Sequence, residues 1–270
     1  MKESLSLPNF LIPFHSNNLI RIGSTSDGSY LVDKNSVLES DFLISIGVGT
    51  VFEFEKKFLK LEKVPILAFD GSAGIITQLK KIKWRLRQIF YLRQKEYFLD
   101  SFQYFFAPFR FYTFFKNFRN KKLNNNYRKF VKKNVGKDKN FISLKNILDK
   151  YIIPESYKKI FFQIDIEGGE YKILDELIEI QDFISGLVIE FHDVSNNLRE
   201  IDSFISKFSL KLVHNHINNI GGLTANKLPN VIECTFSNYS ELEKVEYLPH
   251  ILDISNSKKY FEYTFVRNNF

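Results

Sequence analysis

The stretch DFLISIGVGTVFEFEKKFLKLEKVPILAFD, residues 41–70, decides the fold. Its first part, 41–49, is an apolar run that stops at Gly47 and Gly49. The next part places Phe54, Phe58 and Leu61 at helical spacing. PILAFD, 65–70, is a second short apolar run and ends in an acid. Strand, glycine turn, helix and strand together open a doubly wound α/β sheet. Glycines after a strand let a backbone approach a ligand closely, and the start of the following helix favours an anionic group. Asp70, about twenty residues on at the next strand tip, can accept hydrogen bonds from both hydroxyls of a ribose. A lone Gly-x-Gly reads as a tight turn. The acid in step with it makes ligand binding the stronger reading.

Working outward, LIRIGSTSDGSYLV (19–32) alternates apolar and polar residues around Ser-Asp-Gly and predicts an N-terminal hairpin over about 19–33. Beyond a long interruption the pattern resumes. YRKFVKKNVG (127–136) reads as a strand, and SLKNILDKYI (143–152) as a helix capped by Ser143. FFQIDIEGG (161–169) and GLVIEFHD (186–193) are strands, each followed by a helix. LKLVHNHINN (210–219) and NVIECTFS (230–237) are strands joined by a loop with Gly-Gly and Pro. About seven strands result, mostly parallel and closed by an antiparallel C-terminal hairpin. The tail beyond Tyr239 carries no legible motif. The 270 residues therefore read as one α/β domain, 1–270, interrupted by an insertion over about 77–126.

The insertion differs in composition. Residues 79–139 hold 18 of the 38 basic residues and 17 of the 43 aromatics, so the rest of the chain is net acidic although the whole carries +7. Three functional readings follow: a membrane-surface segment, a lid over a site, or a nucleic-acid contact, the last weakest. The ordinary explanation is a packed helical insertion whose Phe and Lys content reflects codon usage. A pI near 9.2 favours anionic partners. A single cysteine, Cys234, excludes an intrachain disulfide and fits a reducing compartment. The start lacks the pattern of a secretion signal, and no run of about 18 uncharged apolar residues exists. The expected location is cytoplasmic, with a peripheral contact to the inner membrane face as one option.

Three polar pairs stand at later strand ends: Asp165 with Glu167, Glu190 with His192, and His214 with His216. Residues two apart on a strand share a face, and in open α/β sheets ligands bind at the carboxyl ends of strands. Each pair taken alone reads as an ion pair, a hydrogen-bonded core histidine or a helix cap; three at one sheet edge point to a site. Carboxylates there can hold an ammonium group, a histidine can take a proton from a hydroxyl, and the set can bind a divalent ion.

In order and spacing, RIGSTSDGSYLV, LISIGVGTVFEFE, ILAFD, SLKNIL, QIDIEGGEYKIL, GLVIEFH, LVHNHINNIGG and PNVIECTF resemble the FkbM-type S-adenosylmethionine-dependent methyltransferases. Asp-Ile-Glu-Gly followed by Glu-Tyr, and His-x-Asn-Asn before Gly-Gly, are the most specific pieces. The resemblance implies a Rossmann-like methyltransferase sheet and O-methylation, often of sugars in polysaccharide or secondary-metabolite pathways. It implies that Gly47 and Gly49, with Ser45 ahead of them, form the cofactor loop. It places Asp70 on the adenosine ribose and Asp165 near the methionine end of the cofactor and the acceptor. The chain departs from the pattern in lacking the usual acid at the Ser45 position, in the Gly71-Ser72 that follows Asp70, and in the insertion.

The sulfonium methyl is already activated, so the protein must align an acceptor oxygen and remove its proton. The expected base is His192 or His216, with Glu190 orienting it, and Asp165 holds the cofactor amino group or the acceptor. In a variant, Asp165, Glu190 and a histidine bind a divalent cation that lowers the hydroxyl pKa. The expected acceptor is a small-molecule or lipid- or nucleotide-linked sugar. The competing reading is a non-catalytic binding module that docks to a membrane or protein through the basic insertion.

Overall fold

In a computed structural model the chain is described at residues 3–5, 7–24, 28–49, 52–72, 128–153 and 156–267, with four single positions between 73 and 127. The expected insertion over 77–126 thus lies outside the described residues. The central sheet has seven strands: β4 (Phe42–Ile46), β5 (Ile66–Phe69), β6 (Arg128–Val131), β7 (Ile160–Ile164), β8 (Ile184–His192), β9 (Lys211–Ile217) and β10 (Val231–Ser237). Their spatial order is β6-β5-β4-β7-β8-β10-β9, which is 3-2-1-4-5-7-6 when the seven are counted along the chain. All neighbours pair parallel except β10, which runs antiparallel to both β8 and β9. This is the mostly parallel, Rossmann-like α/β sheet with an antiparallel C-terminal pair expected from the sequence; the structure adds that β10 is the reversed strand and lies between β8 and β9.

Why these residues form strands buried on both faces is plain from their composition. FLISI, ILAF and IFFQI are short β-branched and aromatic runs, buried throughout. Alternation nevertheless assigns their faces. Phe42, Ile44, Ile46, Phe162 and Ile164 join the larger core, which is closed by α3 (Leu144–Ile147), α4 (Leu174–Glu179) and α5 (Leu198–Lys207). Leu43, Ile66, Phe161 and Val188 join a second core beneath α2 (Glu53–Leu61) and the antiparallel hairpin of β2 (Leu19–Gly23) and β3 (Ser29–Asp33). A short helix, α1 (Lys34–Leu38), follows β3 and is capped by the Asp33 side chain.

The helices differ in detail from expectation. The buried face of α2 is Phe54, Glu55, Phe58 and Leu59, while Leu61 is 44% exposed. Ser143 caps α3 as expected, but the helix passes into a π turn over Leu148–Ile152. The segment after Gly169 is a 3-10 turn, Glu170–Lys172, before α4 begins. The termini, which carried no motif, meet in a small sheet of β1 (Glu3–Ser4), β12 (Tyr263–Val266) and β11 (Tyr247–Leu248). No helix among the described residues is long and apolar enough to cross a membrane.

Candidate functional site

A cleft of about 850 Å³ opens at the carboxyl ends of β4, β5 and β7. That volume lies in the ordinary range for small-molecule sites. The strand order reverses direction between β4 and β7, and ligands of open α/β sheets bind at such a switch point. The cleft walls include Gly47, Gly49, Asp70, Asp165 and Glu167, along with Val135 and Phe141.

The glycine turn after β4 is fixed by its neighbours. Gly47 has φ 87°, and a Cβ there would lie 1.5 Å from the Asp165 carbonyl oxygen. Only glycine lets the two turns touch. The Gly47 N–H donates to Phe69 O, and the Asp165 N–H donates to Ile46 O. Asp70 locks the far side of the turn. Its Oδ2 accepts from the Gly49 N–H at 2.6 Å, and its Oδ1 accepts from the Ser72 N–H and hydroxyl at 2.7 and 2.8 Å. A carboxylate has about four acceptor positions. Asp70 therefore shapes the loop from the cleft wall.

Beyond β7 the chain turns sharply. Glu167 takes a left-handed φ of 53° and Gly168 a φ of 95°. Asp165 and Glu167 thus stand past the end of the strand, not on one strand face as the spacing implied, yet both reach His192. The His192 Nε2 lies 3.9 Å from Asp165 Oδ1, 3.6 Å from Glu167 Oε2 and 3.9 Å from Glu190 Oε1. Glu170 anchors the ring. Its Oε1 accepts from the His192 N–H at 2.6 Å and lies 3.2 Å from Nδ1, while Oε2 accepts from the Gly168 N–H. Orientation of His192 was expected from Glu190. The structure gives it to the fully buried Glu170, which also caps the turn. Glu190 instead accepts from Asn218 at 2.9 Å and lies 3.3 Å from the Tyr30 hydroxyl. Burial lowers the His192 pKa, but the hydrogen bond and charge of Glu170, with Asp165 and Glu167, outweigh it and hold the imidazole above its ordinary value.

One ligand atom each from Asp165, Glu167 and His192 lies within 4.8 Å of the others, a spacing that can hold a divalent ion. In this set Glu167 takes the place expected of Glu190.

His214 and His216 are brought to a different place. In register across the sheet, Glu190 faces Glu233, and Glu233 faces His216. His216 Nδ1 lies 3.3 Å from Glu233, and Nε2 lies 2.9 Å from Glu262. These carboxylates outweigh burial and raise its pKa to about 10. His214 pairs with Asp253, which Arg21 also meets. The tail thus closes over this histidine pair, and neither histidine lines the cleft.

Ser45, expected in the cofactor loop, lies fully buried beneath it. Its hydroxyl is 2.5 Å from Glu55 Oε1 and 2.6 Å from Gln163 Oε1. Glu55 of α2 thus sets a carboxylate against Ser45, the position where the resemblance led to the expectation of an acid. Glu55, Gln163, Tyr30, Asn218 and the anchoring role of Glu170 were missed in the sequence. Glu55 left a signal: it occupies the apolar stripe of α2, where a carboxylate needs a reason.

No protein-family model matches the chain, and no curated protein does. Among solved structures, precorrin-6y C5,15-methyltransferase from Geobacter metallireducens is similar at 13% identity and a TM-score of 0.34, over 75% of this chain and 84% of that one. The fold therefore stands on the sheet itself: strand order 3-2-1-4-5-7-6, seventh strand reversed, with a cleft at the switch point.

Proposed function

We propose that the protein is an S-adenosylmethionine-dependent methyltransferase that methylates a hydroxyl, with a sugar of surface-polysaccharide or related glycan biosynthesis as the acceptor. The observation that carries this reading is the cleft at the β4/β7 switch of a 3-2-1-4-5-7-6 sheet, with a positive-φ glycine turn, Asp70 and Asp165 on its walls. Adenosine fits the β5/β6 side, where Val135 and Phe141 offer apolar surface and Asp70 can take a ribose hydroxyl. The methionine end would then lie on the side of Asp165, with His192 Nε2 3.9 Å from its Oδ1.

S-adenosylmethionine, when bound, would supply an activated methyl group to the acceptor oxygen, and the acceptor's hydroxyl proton would pass to a base of this chain. His192 Nε2 is the proton acceptor, because Nδ1 is engaged by Glu170 and because both nitrogens of His216 meet carboxylates away from the cleft. Asp165 faces the acceptor. Calorimetry with S-adenosylmethionine tests the reading; no binding at near-millimolar cofactor would end it and leave a binding module on this fold.

A second reading rests on the Asp165–Glu167–His192 spacing. A divalent cation held there would lower the acceptor pKa in place of a histidine base. Full turnover by metal-stripped enzyme in EDTA dismisses it; loss restored by added Mg²⁺ or Mn²⁺ supports it. The partner of the basic segment 77–126 is proposed as an anionic membrane surface or a lipid-linked acceptor, which flotation with anionic liposomes tests.

A further inference from the structure

Glu55 has no role in the reaction above, yet its position calls for one. It comes from the first turn of α2, is 1% exposed and lines the cleft. Its Oε1 meets Ser45, and its Oε2 has no hydrogen-bond partner among the described residues. Ser45 lies within hydrogen-bond distance of two acceptor oxygens but has one proton. The count balances when Glu55 is protonated, donating to Ser45, which donates to Gln163. It balances equally when Gln163 turns its amide nitrogen to Ser45, leaving Glu55 an anion with one unpartnered oxygen. Among the described residues no ion pair joins Glu55 to Lys, Arg or His. Burial, reinforced by the charge of Glu53, raises its pKa to about 7 against the pull of Ser45 and its own backbone hydrogen bond. The free protein thus holds a neutral acid here at moderately acidic pH.

We propose that Glu55 is the receptor for the α-ammonium of the cofactor's methionine end, and that it releases its proton to solvent when that ammonium binds. No covalent bond changes; an N–H···O contact to Oε2 replaces the lost proton, and Gln163 reverses its amide to keep Ser45 satisfied. The assignment rests on the methyltransferase reading and deepens it. Placement supports it independently of charge. Asp70, Val135 and Phe141 sit on the β5/β6 side of the cleft, whereas Glu55 touches Ser45 of β4 and Gln163 of β7. A nucleoside on the first side therefore directs its amino-acid tail toward the second. A buried carboxyl with an unpartnered oxygen is a poor neighbour for a neutral thioether and a strong one for an ammonium, while the ribose has Asp70. Asp165 is left for the acceptor.

The test is calorimetry of the wild-type protein in buffers of different ionisation enthalpy, which counts protons released on binding. At pH 6, S-adenosylmethionine and S-adenosylhomocysteine should each release close to one proton. 5′-Methylthioadenosine, which has no ammonium, should release none. Affinity for the first two should rise up to about tenfold per pH unit and level off above about pH 7. Glu55→Gln, an isostere of the neutral acid, should fold normally, lose the proton release and bind roughly tenfold or more weakly at pH 8. Proton release that persists in Glu55→Gln points to His192 or Asp165 and overturns the assignment. Equal release with 5′-methylthioadenosine overturns it without any variant. Wild-type protein that binds S-adenosylmethionine with no proton release ends this inference alone, whereas no binding at all ends the methyltransferase reading with it.

Discussion

At the residue scale, His192 and Glu55 are two titrating groups with opposite logic. His192 must be neutral to accept a proton, and its pKa is held above the ordinary value. Turnover should therefore climb with pH and level off at a higher pH than an ordinary histidine would give, which a kcat–pH profile reads directly. His192→Ala should lower kcat by about 10²–10⁴-fold with cofactor affinity unchanged. Full turnover would remove it as the base. Glu170→Gln, which keeps shape but removes charge, should move the kcat–pH profile toward lower pH, because the raising influence is lost. Glu55 affects stability in the other direction. Its folded pKa is raised from 4.5 to about 7, so its contribution is fully present below 4.5 and is lost as pH rises through 7. In the absence of ligand, Glu55→Gln should be about 3 kcal/mol more stable than wild type at pH 8 and equal to it near pH 4.5, by denaturant unfolding. Asp165 on the cleft wall and His192 beside it were legible because they break apolar runs. The role of Glu170 was not legible, since its hydrogen-bond donors are backbone N–H groups 2 and 22 residues away.

At the element scale, the strand–turn–helix–strand unit of 41–70 was legible almost residue by residue. Short β-branched runs ended by positive-φ glycines leave little choice. What periodicity could not give was how two turns meet. Gly47 rests against the Asp165 carbonyl, joining elements more than a hundred residues apart. Gly47→Ala should therefore displace the turn after β7, abolish cofactor binding and cost about 3 kcal/mol or more by thermal unfolding. Gly49→Ala meets no atom within 4 Å, though its φ of 58° still strains the loop, so it should be the milder of the two. The pair of acids after β7 also changed meaning at this scale. They belong to a turn with a left-handed residue, and the turn, not strand alternation, brings both to His192.

At the scale of the whole molecule, the tail determines which histidine is available. Glu262 and Asp253 cover the end of β9 and, with Glu233 and Arg21, form a buried ionic network around His214 and His216. Asp253 is held at about 2 chiefly by His214, against the upward push of burial. His216 contributes stability fully below about 6.5, lost as pH rises through about 10. Asp253 contributes above about 3.8, lost as pH falls through about 2. Both contributions are whole between those limits. Glu262→Gln should cost about 2 kcal/mol near pH 6 and much less near pH 11, by urea unfolding at the two pH values. An equal cost at both would show that the charge of His216 is not what the tail holds. Ser72 lies on the cleft wall, five residues ahead of the expected insertion over about 77–126.

The sequence by itself determined the α/β class, an antiparallel C-terminal pair closing the sheet, the N-terminal hairpin and the glycine turn with its acid. Each of these depends on near neighbours in the chain, through side-chain periodicity or the conformational freedom of glycine. Tertiary structure alone decided which carboxylates act together. Glu170 anchors His192, Glu55 reaches Ser45, and Glu262 closes His216, each across a fold-determined contact that no local pattern encodes. The physical reason is that the energy of a buried charge depends on its partners in space. The same Asp, Glu and His letters therefore read as one site along the chain and separate into a cleft and a closed network in the fold.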